Sequence, residues 1–174
     1  STRTRGLWRW QELLPVHEER FRFSLGEGGT PLLRAERIGA ALGMKNLFIK
    51  DESGNATGSF KARGLAAAVA KAVELGIREF VIPTAGNAGS ALAAYAARSN
   101  TTAHVYMPAD TPAAIQAEVK MYGADLHLVN GLISDAAREA AAEAKAHGWF
   151  DVSTFKEPFR VEGKKTMGFE LAES

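Results

Sequence analysis

A single lysine, Lys61, lies in the stretch GNATGSFKARG (residues 54–64) among small and hydroxylated residues. The apolar segment before it predicts a strand, and the alanine-rich segment after it predicts a helix that begins near Lys61. The amino end of a helix is positively polarised, so a lysine placed there loses its proton more readily. Because a neutral amine attacks carbonyl carbon, we predict that Lys61 is a nucleophile in Schiff-base chemistry. The alternative is an ordinary lysine that points into solvent.

A second candidate site is the loop in PTAGNAGSA (residues 83–91), which also joins a predicted strand to a predicted helix. Free backbone N–H groups and the helix dipole make such a loop a binding site for anions. Gly86 and Gly89 allow a ligand to approach the backbone, and Asn87 offers both a donor and an acceptor. The alternative is a plain turn whose small residues serve packing alone.

The elements that must position these loops alternate regularly along the chain. Alanine-rich helical segments separate five short apolar runs, at residues 46–50, 80–84, 103–108, 124–129 and 149–153. This alternation predicts an α/β fold with an open parallel sheet, and residues 1–45 are expected to be irregular. Both candidate loops would then lie at the carboxyl ends of strands, where open sheets bind ligands.

Composition narrows the class of protein. The chain has 174 residues, 46% of them hydrophobic and 24% charged, with a formal net charge of +1 and no cysteine. This balance is typical of a globular protein, and without a basic block neither nucleic acid nor a membrane surface is an expected partner. Long apolar runs are missing from the sequence, and the histidines have no shared ligand spacing. We therefore predict a cytoplasmic protein that binds a small molecule and no metal.

Four motifs, in order, carry a family resemblance: GEGGTPLL, IKDESGNATGSFKARG, PTAGNAGSALAAYAA and PFRVEGKKTMGFELAE. Together they resemble the threonine synthases and, more widely, the pyridoxal-phosphate enzymes of the tryptophan synthase β fold. The resemblance implies a three-layer fold, in which helices cover both faces of an open parallel sheet. It also implies pyridoxal 5'-phosphate as the cofactor. It implies that Lys61 is the catalytic residue and binds the cofactor as an aldimine, and that Asn87 hydrogen-bonds its phenolic oxygen. The substrate's α-carboxylate would be received by Thr84, Ala85, Gly86, Asn87 and Ala88.

The reaction that this resemblance implies converts O-phosphohomoserine and water to threonine and phosphate, by γ-elimination and then hydration at the β-carbon. A substrate phosphate needs cations, and we predict Lys50 and Arg160 for that role, the alternative being ordinary surface cations. Thr154 and Phe155 stand where threonine synthases commonly carry Asn and Ser. A serine or threonine dehydratase, or a β-replacement synthase, therefore remains an alternative.

The resemblance also implies a division of the chain. Residues 1–45 would belong to a larger cofactor domain, residues 46–155 would form a small α/β domain, and residues 156–174 would return to the larger one. The family's cradle for the cofactor phosphate would lie beyond residue 174. We therefore expect the chain alone to be inactive and to pair as a homodimer or with a complementing C-terminal half. A non-catalytic fragment completed by a partner is the last alternative.

Overall fold

Six strands and six α-helices form the regular structure of residues 5–174, the part of the chain that this computed structural model describes. No helix in this range is long and apolar enough to cross a membrane. In chain order the elements are β1 (Leu32–Arg34), α1 (Glu36–Ala41), β2 (Phe48–Lys50), α2 (Lys61–Glu74), β3 (Glu79–Pro83), α3 (Asn87–Arg98), β4 (Thr102–Pro108), α4 (Ala113–Met121), β5 (Asp125–Val129), α5 (Ile133–His147), β6 (Phe150–Asp151) and α6 (Phe159–Ala172).

A parallel four-stranded sheet in the order β5-β4-β3-β6 lies between two layers of helices. Side chains alternate along β3, so Phe80 and Ile82 pack under α2 and α3 while Val81 packs under α5. All three side chains are buried, as expected for a parallel sheet with both faces covered. The predicted α/β fold with a three-layer parallel sheet is therefore confirmed.

One strand was wrongly placed by the sequence pattern. The apolar run at 46–50 was expected to belong to the parallel sheet, but β2 pairs antiparallel with β1, and Leu33 lies opposite Ile49. The expectation that residues 1–45 are irregular is wrong for the same reason, because β1 and α1 lie there. A three-residue apolar run indicates a strand but carries no information about its partner. The segment before Lys61 therefore comes from a separate two-stranded ribbon.

Contacts cross both predicted domain boundaries. The β1–β2 ribbon joins residues on either side of position 45, and α6 packs along α2 from beyond position 155. Near the N-terminus, Leu7 and Leu14 are buried in the same apolar core as Leu65 of α2. The three-part division of the chain stays a prediction.

Candidate active site

Lys61 is the first residue of α2, and its ammonium group has no anionic partner in the described part of the chain. Its Nζ atom lies 3.9 Å from the centroid of the Phe60 ring and has no hydrogen-bond acceptor within residues 5–174. Burial lowers the pKa of Lys61, and the positive charge of Arg160 lowers it further. The structure thus gives Lys61 the environment expected for a reactive amine.

Helix α6 brings further cations to Lys61 because it packs unusually close to α2. A Cβ atom at Gly163 would lie 2.2 Å from the carbonyl oxygen of Arg63, and one at Gly64 would lie 3.0 Å from that of Arg160. Glycine at both positions therefore permits this approach of the two backbones. As a result the Nζ atom of Lys164 lies 5.6 Å from the same Phe60 ring that Lys61 contacts.

Arg160 is buried with part of its guanidinium unsatisfied. Only 3% of its surface is exposed, and its Nη1 donates to the carbonyl oxygen of Val152 at 2.5 Å. Its Nε has no partner among the described residues. The nearby carboxylate of Glu157 accepts from the backbone N–H of Arg160 at 3.0 Å, and burial raises the pKa of that carboxyl. A buried donor without a partner is a position where a ligand oxygen can bind.

We call Lys61, Arg160 and Lys164 the cationic cluster. Burial lowers the pKa of Lys164, with the charges of Arg160 and Lys61 acting in the same direction. The structure therefore brings together two of the predicted site residues, Lys61 and Arg160, and adds Lys164. Sequence analysis missed Lys164, although Arg160 and Lys164 are four residues apart and share one face of α6. Such a cluster is suited to an anionic group.

The predicted loop at 84–88 forms the amino end of α3, directly after β3. Within it the Thr84 hydroxyl accepts from the backbone N–H of Gly86 at 3.2 Å. A Cβ atom at Gly89 would come within 2.7 Å of a side chain of β4, so this glycine is needed for packing. Three backbone N–H groups of the loop have no acceptor within the described range, those of Ala85, Asn87 and Ala88. The loop therefore keeps free donors for an anion, and the Asn87 side chain is exposed beside them.

Lys50 lies in a different group of charges. Its Nζ atom is 2.7 Å from the carboxylate of Glu170 and donates to the carbonyl oxygen of Thr30 at 2.5 Å. The predicted role of Lys50 in binding a substrate phosphate stays a prediction. It would require Lys50 to exchange these two buried contacts for the phosphate.

Sequence analysis missed a buried charge network that connects the elements near Lys61. The guanidinium of Arg63 is fully buried and forms paired hydrogen bonds with Glu52, at 2.7 and 2.8 Å, and with Glu170, at 2.7 and 2.9 Å. Burial opposes ionisation of Glu170, yet hydrogen bonds from Arg63, Lys50 and the backbone of Gly29 hold its pKa at about 2. The network ties α2 to α6 and to the loop before β1. The signal in the sequence that could have indicated this network is Arg63, a charged side chain on the buried face of α2.

The site fits the chemistry of an aldehyde that carries anionic oxygens. Within residues 5–174, Lys61 has no counter-ion, the loop at 84–88 has free backbone N–H donors, and the buried Nε of Arg160 has no partner. Within residues 5–174 no cluster of three His, Asp or Glu side chains could hold a metal ion.

Comparison with known proteins identifies the family. The family model for pyridoxal-phosphate dependent enzymes matches residues 23–174. The threonine synthase of Methanocaldococcus jannaschii is 40% identical over 169 residues, which cover 97% of this chain and 42% of that protein. The threonine synthase of Halalkalibacterium halodurans is 37% identical, with coverage of 97% and 47%.

Solved structures agree with this assignment. The processed form of threonine deaminase isoform 2 from Solanum lycopersicum superposes with a TM-score of 0.75 at 27% identity, over 83% of this chain and 40% of that one. The chain thus spans slightly less than half the length of the curated relatives that it matches. From this family match, the cofactor is pyridoxal 5'-phosphate and the parallel sheet is that of the tryptophan synthase β fold. The chain belongs to the pyridoxal-phosphate dependent enzyme family.

Proposed function

We propose that this chain supplies the reactive lysine and the anion-binding part of a threonine synthase-like lyase, which converts O-phosphohomoserine and water to threonine and phosphate. The relatives named threonine synthase match nearly the whole chain. The observation that carries the proposal is the cationic cluster with its unpartnered Arg160 N–H. A substrate with both a carboxylate and a phosphate needs two anion sites. In this proposal the cationic cluster is the site for the phosphate, and the loop at 84–88 is the site for the carboxylate.

In this proposal each group has a stated task. Lys61 would hold the cofactor through its Nζ and would move protons at that atom. When bound, the cofactor would supply an electron sink for the substrate carbons. Asn87 donates to the phenolic oxygen of the cofactor, and the free N–H groups of the loop at 84–88 hold the α-carboxylate. Arg160 and Lys164 bind the phosphate and stabilise it as it leaves.

A dehydratase of the same fold is the second candidate. Phe155 stands where threonine synthases commonly carry a hydroxylated residue, and its side chain cannot donate a hydrogen bond to phosphate. Phe155 is also 87% exposed and has a φ of 64°, a backbone conformation rare for a bulky residue. The likeness to a threonine deaminase structure agrees with this reading. A β-replacement synthase and a non-catalytic fragment remain further alternatives.

The test uses the 174-residue chain joined to the part of the Methanocaldococcus jannaschii threonine synthase that it does not cover. Phosphate release from O-phosphohomoserine is compared with ketoacid formation from threonine. We expect phosphate release, and a loss of about 10²-fold in Arg160→Gln because a charge on the leaving group goes unpaired. Ketoacid formation as the main activity would favour the dehydratase. The absence of both activities would favour the non-catalytic fragment.

A further inference from the structure

Glu157 is a buried carboxylate to which the proposed function gives no task. It lies two residues before α6, only 6% of its surface is exposed, and it forms no ion pair within residues 5–174. Its two carboxylate oxygens accept from the backbone N–H of Arg160, at 3.3 and 3.0 Å. An amide or hydroxyl oxygen can cap a helix equally well. Capping of α6 therefore does not account for a buried ionisable group at this position.

Arg160 is buried beside Glu157, yet the two charged groups do not pair. The guanidinium donates through Nη1 to the carbonyl oxygen of Val152, and its Nε has no partner in the described part of the chain. Direct pairing with Glu157 would occupy donors of the guanidinium. Because the two groups stay apart, Arg160 keeps a buried donor for an anion that enters the cationic cluster.

The charge of Glu157 nevertheless acts on the cationic cluster at longer range. Burial lowers the pKa of both Arg160 and Lys164, and the negative charge of Glu157 opposes this effect in each. Burial raises the pKa of Glu157 itself, against its backbone hydrogen bonds and the charges of the same two cations. Glu157 is thus an internal counter-charge for the two cations on α6.

Three further charged groups face this site or lie next to it. Lys61 of α2 faces both cations of α6. Asp151 of β6 faces Arg160 and also accepts from the backbone N–H of Ser153 at 2.8 Å. Lys156 is next to Glu157 in the chain and is exposed. None of these three is a histidine, and Glu157 is the acid at this site whose pKa burial raises.

We propose that binding of a sulfate or phosphate group in the cationic cluster is coupled to the uptake of a proton by Glu157. The bound anion and the ionised carboxylate repel each other and compete for the same cations. Anion binding therefore favours the protonated carboxyl, and by reciprocity protonation of Glu157 tightens anion binding. The proton comes from solvent and returns to it when the anion leaves. This inference rests on the phosphate site of the proposed function and adds its regulation.

The test measures sulfate binding to the 174-residue chain by titration calorimetry, in buffers of different ionisation enthalpy so that proton uptake is counted directly. Sulfate stays a dianion at every pH used, so the protons taken up go to the protein. We expect the affinity to rise as the pH falls from 7 to 5, with uptake of up to about one proton per sulfate.

Two variants assign the proton to Glu157. Glu157→Gln keeps an oxygen that accepts from the Arg160 N–H and removes the charge, so at pH 7 it should bind sulfate at least about fivefold more tightly. It should also lose the proton uptake, whereas uptake by Lys61 or Lys164 would survive. A purely structural role for Glu157 predicts weaker binding instead. Glu162→Gln is the matched control, because Glu162 on the same helix is partly exposed and pairs with Lys165, and it should change neither quantity.

Two further variants complete the set. Arg160→Gln should weaken sulfate binding at least about tenfold, which places the anion in the cationic cluster. Circular dichroism checks that each variant folds. If Glu157→Gln does not fold, Glu157→Asn replaces it, because asparagine also caps helices.

Several outcomes would overturn the inference. They are no sulfate binding to the parent chain, binding without proton uptake, equal or weaker binding in Glu157→Gln, and binding that Arg160→Gln leaves unchanged. Phosphate release by the joined chain is measured separately. Proton-linked sulfate binding without phosphate release would refute the proposed reaction alone, and phosphate release without proton-linked binding would refute this inference alone.

Discussion

At the scale of single residues, the candidate site contains a lysine, Lys61, that has no counter-ion among the residues the structure describes. Most buried charges are paired, and Arg63 shows this pattern with its two carboxylates. Lys61 has no carboxylate partner within residues 5–174, and its neighbours Arg160 and Lys164 are cations as well. Burial and the charge of Arg160 therefore lower the pKa of its amine, which favours loss of the proton.

The first prediction concerns covalent attachment at Lys61. The chain is incubated with pyridoxal phosphate, reduced with borohydride and mapped by peptide mass spectrometry. We expect the cofactor mass on the peptide that contains Lys61 and its loss in Lys61→Ala, because burial and the charge of Arg160 lower the pKa of the Lys61 amine. Equal labelling of many surface lysines would contradict this.

The second prediction concerns the pH dependence of that labelling. The charge of Arg160 disfavours protonated Lys61, so Arg160→Met should raise the pKa of Lys61. The midpoint of labelling against pH should then move upward, with less label at any pH below it. Arg138→Met, which removes an exposed arginine from α5, should leave the midpoint unchanged. An unchanged or lower midpoint in Arg160→Met would show that the arginine does not act on Lys61.

At the scale of elements, the packing of α2 against α6 decides which side chains surround Lys61. Gly64 and Gly163 let the two backbones approach, and this approach sets Arg160 and Lys164 beside the start of α2. In sequence, Gly163 lies 102 positions from Lys61, so their proximity is a property of the fold alone.

The third prediction tests this close approach. Gly163→Ala forces a Cβ atom to within 2.2 Å of a backbone oxygen on α2, and we expect a loss of stability of about 1–3 kcal/mol. Gly168→Ala on the same helix meets nothing within 4 Å, so its greater helix propensity should stabilise the chain by about 1 kcal/mol. Urea denaturation measures both. Equal effects of the two substitutions would contradict the close packing.

At the scale of the whole molecule, one buried charge network joins segments that are distant in sequence. Arg63, Glu52 and Glu170 connect α2, the turn after β2 and α6, and Gly29 attaches the loop before β1. Replacing one partner of such a network leaves a buried charge uncompensated. Protonation of a carboxylate in the network at low pH has a similar effect, because it removes one of the paired charges. The stability of the chain should therefore depend on pH.

The fourth prediction gives the sign of that dependence. The pKa of Glu170 is lowered from 4.5 to about 2, so its contribution is fully present above pH 4.5 and is lost as the pH falls toward 2. The size of this contribution is about 3 kcal/mol. Glu170→Gln should be less stable than the parent at pH 6 and should lose less stability between pH 5 and pH 3. Denaturation midpoints at these pH values measure the difference, and parallel losses in both proteins would refute it.

The features that the sequence determined by itself are local motifs and periodic patterns. Alternating apolar and alanine-rich segments predicted the parallel sheet, and four motifs predicted the family, because helix periodicity and loop chemistry are set by neighbouring residues. The reactive lysine and the anion-binding loop were found in the same way, and their assigned roles stay predictions.

The tertiary structure decided which distant groups meet. It moved β2 from the parallel sheet to a ribbon with β1, placed Lys50 against Glu170, and added Lys164 to Lys61 and Arg160. None of these follows from local pattern, because strand pairing and helix packing depend on the free energy of burying complementary surfaces far apart in the chain. Sequence identified the groups able to do chemistry, and only the packing of α6 on α2 determined which cations share their site.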